Sequence, residues 1–360
     1  MRVAIIGIGR IGRLHAGNLR AAGHRTVTVD RAADADFRDV RELPDALVAR
    51  IDAWVVSTPT RLHLRTLRQI LTRAPAARVL LEKPAVIPSE LAALTRTLDE
   101  HPGARVVVNN VYAHSAPVRH LAGTVLRLSA SDPIARITVE FTKNRLSDVA
   151  AGRFVDNDYG EVGYEWFHML AILRELLSPE DYRAYLDTPG PRITREVRVG
   201  VAGRGLPDIE LYSSMCGRVG FPRLAGPYFA SAAVRHEIAT GAIGYGTDLR
   251  YRFADVELAS GTRCCLVYEP YYAARDAYKN THAVVVSTGT GVDVTTVAEN
   301  QLATALAAQL RALTSPNGGT NRLYQAEHAH MARLAAQLGP YEATVPHPAA
   351  LAGDMNGATT

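Results

Sequence analysis

A glycine-rich turn near the N-terminus constrains the fold of this chain more than any other feature. Gly7, Gly9 and Gly12 follow the apolar run 3–6, and a second apolar run ends on Asp30. The first glycine turns the chain off a strand, the second lets backbone approach a pyrophosphate, and the third packs a helix against the sheet. Unpaired N–H groups at the start of that helix favour an anion. This order predicts a dinucleotide-binding βαβ unit.

The acid at the end of the second strand bears on which dinucleotide is bound. A carboxylate at Asp30 would accept hydrogen bonds from the 2′-hydroxyl of the adenine ribose and would repel a 2′-phosphate. Arg10 and Arg31 could both approach that ribose and attract a 2′-phosphate, or they could stack on the adenine or lie in solvent. The expected cofactor is therefore NAD, with NADP as the alternative.

Length and composition allow two domains of ordinary size, because 47% of the 360 residues are hydrophobic. No apolar run approaches the roughly 20 residues of a membrane span, and the N-terminus enters a strand at once, so a cytoplasmic protein without membrane partners is expected. The net charge of +4 comes from basic residues scattered among acids, which argues against nucleic acid. The three cysteines lack metal-ligand spacing, and no metal is expected.

The first third of the chain alternates strand and helix patterns, which predicts an α/β fold with a doubly wound parallel Rossmann sheet over residues 1–120. Short apolar runs typical of buried strands cover residues 53–56, 79–81 and 105–109. Helix patterns cover residues 43–50, 61–72 and 90–100, with Ser89 as the expected cap of the last.

Beyond residue 120 the pattern changes to β-rich runs, which predicts a second α+β domain over residues 121–345 with a large, mostly antiparallel open sheet. The expected strands cover residues 134–143, 195–202, 209–215, 229–238, 249–257, 262–269 and 282–287. Helices are expected over residues 160–177, 297–313 and 321–338. Residues 346–360, rich in Pro, Ala and Gly, are expected to form a mobile tail.

Three motifs of the N-terminal domain, in this order and spacing, resemble the Gfo/Idh/MocA oxidoreductase family. They are Gly-Ile-Gly-Arg-Ile-Gly-Arg-Leu-His at 7–15, Ser-Thr-Pro-Thr-Arg-Leu-His at 57–63 and Glu-Lys-Pro at 82–84. The resemblance implies a Rossmann domain followed by a substrate domain, and hydride transfer between NAD or NADP and a secondary alcohol of a sugar or cyclitol. It also implies a homodimer or homotetramer with a small-molecule substrate.

The resemblance also assigns roles to individual residues. Lys83 would hydrogen-bond the reacting hydroxyl and relay its proton, while His15 would be a packing residue. His63 is open between a place near the nicotinamide and a helix-capping or packing role. The cofactor-binding set implied is Gly7, Gly9, Arg10, Ile11, Gly12, Asp30, Arg31, Ser57, Thr58, Pro59, His63, Glu82, Lys83, Asn109 and Asn110.

The second-domain signature of the family is an acid four residues before a histidine on one helix. Here His168 fits, but Tyr164 stands where the acid is expected, which puts the substrate class in doubt. Glu161 or Glu165 could restore the carboxylate. The catalytic set implied is Lys83, His168 and Tyr164, and the substrate-binding set adds Tyr112 and Glu165 to these three.

The expected activity is that of a dehydrogenase acting on a secondary alcohol or ketone of a sugar, cyclitol, aminocyclitol or sugar nucleotide. Lys83 and His168 would handle the proton, since hydride leaves the carbon only as the hydroxyl loses its proton. Two alternatives stay open, and the departure at Tyr164 supports the first of them. One is an imine or conjugated C=C reductase on the same fold, and the other is a non-catalytic sensor or corepressor that binds NAD(P).

Overall fold

The computed structural model describes residues 1–152, 158–188, 192–194, 198–203, 205–272, 278–315 and 323–342. Contacts divide the chain into two compact units, Met1–His114 with Leu302–Ala332, and Ser115–Gln301 with Arg333–Thr360. Residues 302–332, which the sequence pattern places in the second domain, make their contacts with the first unit. The predicted tail at 346–360 lies outside the described residues.

The first unit is built on a parallel sheet of five described strands in the order β2-β1-β3-β4-β5. The strands are β1 (Arg2–Ile6), β2 (Arg25–Val29), β3 (Ala53–Val56), β4 (Arg78–Leu81) and β5 (Arg105–Val108). The helices between them are α1 (Arg10–Ala21), α2 (Asp45–Val48), α3 (His63–Arg73) and α4 (Leu91–Glu100). The predicted doubly wound Rossmann architecture is confirmed.

The second unit is an α+β domain, as predicted, with eight described strands in the order β13-β12-β11-β10-β6-β9-β8-β7. The strands are β6 (Ile134–Thr142), β7 (Arg192–Thr194), β8 (Arg198–Gly203), β9 (Leu206–Ser214), β10 (Tyr251–Leu258), β11 (Arg263–Tyr268), β12 (Thr281–Thr288) and β13 (Gly291–Ala298). The sheet is mostly antiparallel, with β6 and β9 as a parallel pair.

The remaining helices follow in chain order, and the last two return to the first unit over residues 302–332. They are α5 (Ala116–Ser129), α6 (Leu146–Ala150), α7 (Val162–Leu176), α8 (Pro179–Leu186), α9 (Pro222–Ala225), α10 (Ala232–Ala239), α11 (Gln301–Thr314) and α12 (Leu323–Glu342). Within the described residues, no helix has the length and apolar character of a membrane span.

Helix α11 belongs to the core of the Rossmann sheet. Its Leu306, Leu310 and Leu313 share one buried cluster with Leu19 of α1 and with the inward-facing residues of β1, β3 and β4. Spacing of four and three residues places the three leucines on one helix face. Removing this face from water therefore ties the C-terminal part of the chain to the nucleotide-binding fold.

Three local predictions were wrong for identifiable reasons. Residues 229–238 were expected as strand, but helix α10 begins after Ser231, whose hydroxyl accepts the Val234 N–H, and it buries Val234 and Ile238 on one face. Ser89 lies inside a 3₁₀ turn, Pro88–Glu90, and caps no helix. Residues 297 and 298 end strand β13, an exposed edge strand whose pattern gave no signal, so α11 begins later.

Candidate active site

The glycine turn has the close backbone approaches that the sequence predicts. Gly7 has φ +93°, and a Cβ there would lie 2.7 Å from the Thr58 nitrogen. A Cβ on Gly12 would lie 1.9 Å from the Gly7 carbonyl oxygen, whereas a Cβ on Gly9 would meet no described atom within 4 Å. Gly7 thus lets the turn pack against the loop after β3, and Gly12 lets α1 approach the turn. Gly9 leaves open space above the start of α1.

Helix α1 begins without an acid in its first turn and without a side-chain cap among the described residues. Its first N–H groups and its partial positive charge therefore remain available to an anion. Arg10 and Ile11 lie at this end and are exposed to solvent. These features fit the pyrophosphate of a dinucleotide.

Asp30 organises the loop at the end of β2. Its Oδ2 accepts the Ile8 N–H at 2.6 Å, and its Oδ1 accepts those of Ala32 at 2.8 Å and Ala33 at 3.1 Å. Burial acts to raise the Asp30 pKa, but these hydrogen bonds hold it below its ordinary value. Since a carboxylate has about four acceptor positions, an ionised Asp30 keeps room for a ribose hydroxyl.

A cavity of about 280 Å³ lies between this loop and the end of β3. It brings together several predicted cofactor residues with an arginine-rich rim, in which Arg31 donates to Asp39 at 2.8 Å. The lining residues are Ile6, Gly7, Gly9, Val29, Asp30, Arg31, Arg38, Asp39, Val40, Ser57, Thr58, Pro59, Leu62, Arg65, Thr66 and Gln69. Its place beside Asp30 fits an adenosine, with the pyrophosphate toward Gly9.

Glu82, which directly follows β4, is the centre of a polar network. Its Oε1 receives hydrogen bonds from His15 Nε2 at 2.6 Å and from Asn109 Nδ2 at 2.5 Å. Burial acts to raise the Glu82 pKa, but His15, Asn109 and the charge of Lys83 together lower it, which keeps the carboxylate ionised. His15 was expected only to pack; it is buried as expected, and it also bonds to the acid of the Glu-Lys-Pro motif.

The chain after Lys83 is held by two buried histidines. His63 places Nε2 2.7 Å from the Thr58 carbonyl and Nδ1 3.0 Å from that of Pro84, linking the two predicted cofactor loops. Burial lowers the His63 pKa, and a neutral imidazole has one N–H, so it donates to one loop at a time. His328 of α12 accepts the Ala85 N–H on Nε2 at 2.8 Å.

In the second unit, α7 presents one polar face. Glu161, just before the helix, and Tyr164 and His168 within it are partly exposed, while the other residues from 162 to 167 are buried. Spacings of three and four residues put the three side chains on one side of the helix. This is the face on which the sequence predicts substrate-binding residues.

Glu165 does not share that face. It is buried and accepts hydrogen bonds from Arg145 at 2.5 Å and Arg252 at 2.6 Å on the same oxygen. The Arg145 guanidinium also lies 5.9 Å from the centre of the Tyr164 ring, within the range of a cation–π contact. Glu165 therefore organises two arginines beneath the polar face, and the face itself includes the carboxyl of Glu161.

Glu161 accepts a hydrogen bond from the Ser213 hydroxyl at 2.6 Å and one from the Met215 N–H at 3.1 Å. Burial raises the Glu161 pKa to about 7, and the charge of Glu165 adds to this, while the two hydrogen bonds and Arg145 oppose it. A carboxyl that titrates near neutrality can either donate or accept a hydrogen bond.

Four residues of these sites were missed in the sequence: Gln309, His328, Arg145 and Arg252. Each is distant in sequence from the motif that it supports, so no local pattern could reveal it.

Tyr112, a predicted substrate residue, is buried in a 3₁₀ turn after β5. Among the described residues, no group of three or more His, Cys, Asp or Glu side chains could hold a metal ion.

The fold and the glycine turn define a dinucleotide-binding Rossmann protein. Residues 1–110 match the family model of the Gfo/Idh/MocA proteins, described as an oxidoreductase family with an NAD-binding Rossmann fold. Over this domain the chain is similar to that family, in agreement with the predicted resemblance, and the family's description agrees with the expected oxidoreductase class and nicotinamide dinucleotide.

Particular relatives include UDP-N-acetylglucosamine 3-dehydrogenase of Acidithiobacillus ferrooxidans, 36% identical over 100 residues. That match spans 26% of this chain and 31% of the relative, so the chain matches less than a third of that protein's length.

Two solved structures resemble the chain over nearly all of its length. A 3-ketoreductase from Actinomadura kijaniata in complex with NADP has a TM-score of 0.58 at 15% identity, over 94% of this chain and 96% of that one. The dehydrogenase WlbA from Thermus thermophilus, in complex with NAD and UDP-GlcNAcA, has a TM-score of 0.56 at 18% identity, over 96% and 95%. At these identities the likeness establishes the fold.

Proposed function

We propose that the chain is a dehydrogenase or ketoreductase that transfers a hydride between NAD(P) and a secondary alcohol or ketone of a sugar nucleotide. The observation that carries this proposal is the network around Glu82, which fixes the chain beside Lys83 at the carboxyl end of β4. Ligands of open α/β sheets bind at this end of the strands. The sugar-nucleotide ligand in a structural neighbour supports the substrate class.

In the proposed reaction, the bound nicotinamide supplies the hydride chemistry, and the protein supplies position and proton transfer. Lys83 Nζ removes the proton of the reacting hydroxyl during oxidation and returns it to the oxygen during reduction. His168 orients the same oxygen and shares its proton. General acid–base assistance of this kind contributes about 10²- to 10⁴-fold to a rate.

The polar face of α7 supplies the substrate contacts in this proposal. Tyr164, which replaces the acid of the family pattern, donates to or accepts from a sugar hydroxyl. Glu161 provides the carboxyl that the pattern lacks, one turn earlier on the same face. A polyhydroxylated ring matches such a mixed set of donors and acceptors.

The test is turnover of UDP- and TDP-sugars with NAD or NADP by Lys83→Ala and His168→Ala. We expect Lys83→Ala to keep cofactor affinity and to lose turnover at least about a hundredfold, since the general base is gone. Lys279→Ala, at an exposed lysine, is the matched control. Near-normal turnover by Lys83→Ala would remove Lys83 from the mechanism, and turnover of an imine but of no sugar would favour the reductase alternative.

A further inference from the structure

Two helices from the end of the chain reach the edge of the Rossmann sheet where Lys83 lies. Gln309 of α11 and His328 of α12 are both about 1% exposed or less. Their side chains form hydrogen bonds with residues that follow β4 and β5. Buried polar groups of this kind are costly unless they are hydrogen-bonded, so their partners define what they do.

Gln309 fixes the two asparagines that follow β5. Its Nε2 donates to Asn109 Oδ1 at 2.9 Å, and its Oε1 accepts the Asn110 N–H at 3.1 Å. A second hydrogen bond from Nε2 to the Ala305 carbonyl at 3.0 Å sets the orientation of the Gln309 amide. Because Gln309 occupies Asn109 Oδ1, the Asn109 Nδ2 group is directed to Glu82, the residue before Lys83.

His328 fixes the other side of Lys83. Its Nε2 accepts the Ala85 N–H, so the ring proton is on Nδ1, which donates to the Tyr324 carbonyl at 2.7 Å. Burial, together with His63 and Lys83, lowers the His328 pKa to about 4, and the hydrogen bond with the Tyr324 carbonyl only partly opposes this. The ring is therefore neutral at physiological pH and keeps its acceptor for Ala85.

We infer that Gln309 and His328 are positioning residues for Lys83, which they hold through Asn109 and Glu82 on one side and through Ala85 on the other. The inference rests on the proposed role of Lys83. It extends the active site to helices that carry no recognised motif. Catalytic groups need to be held close to their productive geometry, and a displacement of about 1 Å can reduce a rate about a hundredfold.

The first experiment measures amide hydrogen exchange in the cofactor-free protein. His328→Leu removes the acceptor of the Ala85 N–H, and we expect that amide to exchange at least about tenfold faster, as expected when a buried hydrogen bond is lost. Gln309→Met is expected to do the same at Asn110. His328→Gln, whose side-chain oxygen can replace Nε2, should restore protection, and Met331→Leu, buried on the same helix, is the packing control.

The second experiment measures kcat and KM for the sugar nucleotide in the same variants. We expect His328→Leu and Gln309→Met to lower kcat about tenfold or more with little change in substrate KM, and His328→Gln to recover most of it. Unchanged exchange at Ala85 and Asn110, or a loss of kcat equal to that of Met331→Leu, would overturn the inference. Full turnover by Lys83→Ala, with exchange still sensitive to His328, would instead refute the proposed role of Lys83.

Discussion

Glu82 in the first unit and Glu161 in the second are both carboxyls of intermediate exposure, yet their pKa values move in opposite directions. Glu82 accepts from His15 and Asn109 near Lys83, and these partners lower its pKa despite burial. Glu161 accepts from a hydroxyl and a backbone N–H, with Glu165 nearby, and burial raises its pKa to about 7. Partners that favour the charged form decide the outcome.

The comparison separates two kinds of site. Around Glu82 a carboxylate with a lowered pKa organises His15, Asn109 and the chain beside Lys83. On the α7 face a carboxyl that changes its proton near neutral pH lies beside Tyr164 and His168, where the substrate is proposed to bind. We expect the first region to be intolerant of change and insensitive to pH near neutrality, and the second to be adjustable and pH-sensitive.

The largest effect is expected from Gly12→Ala. Its Cβ would lie 1.9 Å from the Gly7 carbonyl oxygen, so the turn must open, and we expect NAD(P) affinity to fall at least about a hundredfold. Titration calorimetry with NADH measures this. The matched control is Gly17→Ala, since Gly17 lies within α1 with no described atom near its Cβ, and alanine there should be neutral or stabilise by up to about 1 kcal/mol.

Retention of normal NADH affinity by Gly12→Ala would show that the turn adapts, and the contrast between a fixed and an adjustable region would fail.

The same contrast explains how much could be predicted from the sequence. The glycines, Asp30 and Glu82 follow buried apolar strands closely, so local pattern alone located them at the carboxyl ends of parallel strands. Gln309 and His328 contact residues about 200 and 243 positions earlier, and only the tertiary fold brings α11 and α12 back. On α7, helical spacing could not decide between Glu161 and Glu165, because burial of Glu165 depends on Arg145 and Arg252.

The next prediction concerns stability against pH. The raised folded-state pKa of Glu161 favours its protonated form, so this contribution to stability is present below about pH 4.5 and is lost as the pH rises through about 7. Urea unfolding at pH 5 and pH 8 measures this difference in the free energy of unfolding. We expect the decrease from pH 5 to pH 8 to be smaller in Glu161→Gln than in the parent protein. For Glu82, with a lowered pKa, the corresponding loss occurs on acidification below its ordinary pKa.

Glu161→Gln is also expected to lower kcat/KM for the sugar nucleotide about tenfold, as for loss of a hydrogen bond with a charged group, while leaving NADH affinity unchanged. The control is Glu210→Gln, whose carboxylate pairs with Arg198 elsewhere in the second unit. An equal loss of NADH affinity would contradict the separation of the two regions.

A smaller effect is expected at Asp30, which we predict to influence the choice between NAD and NADP. Asp30→Asn removes a negative charge from the cavity that also contains Arg31 and Arg38, and it should shift the ratio of NADP to NAD affinity upward about fivefold. Asp34→Asn makes the same charge change at an exposed residue that does not line the cavity. An equal shift in both variants would show that selectivity depends on the net charge of the loop and not on the position of Asp30.

The smallest effect is expected from Tyr164→Phe, which keeps the ring against Arg145 and removes only the hydroxyl. If that hydroxyl contacts a sugar hydroxyl at the partly exposed face, its loss should raise substrate KM about two- to fivefold, as for one neutral hydrogen bond, with kcat nearly unchanged. Tyr245→Phe, at an exposed tyrosine, is the control. A loss in kcat with unchanged KM would instead place Tyr164 in the proton transfer, and the substrate face would then share the chemistry assigned to Lys83.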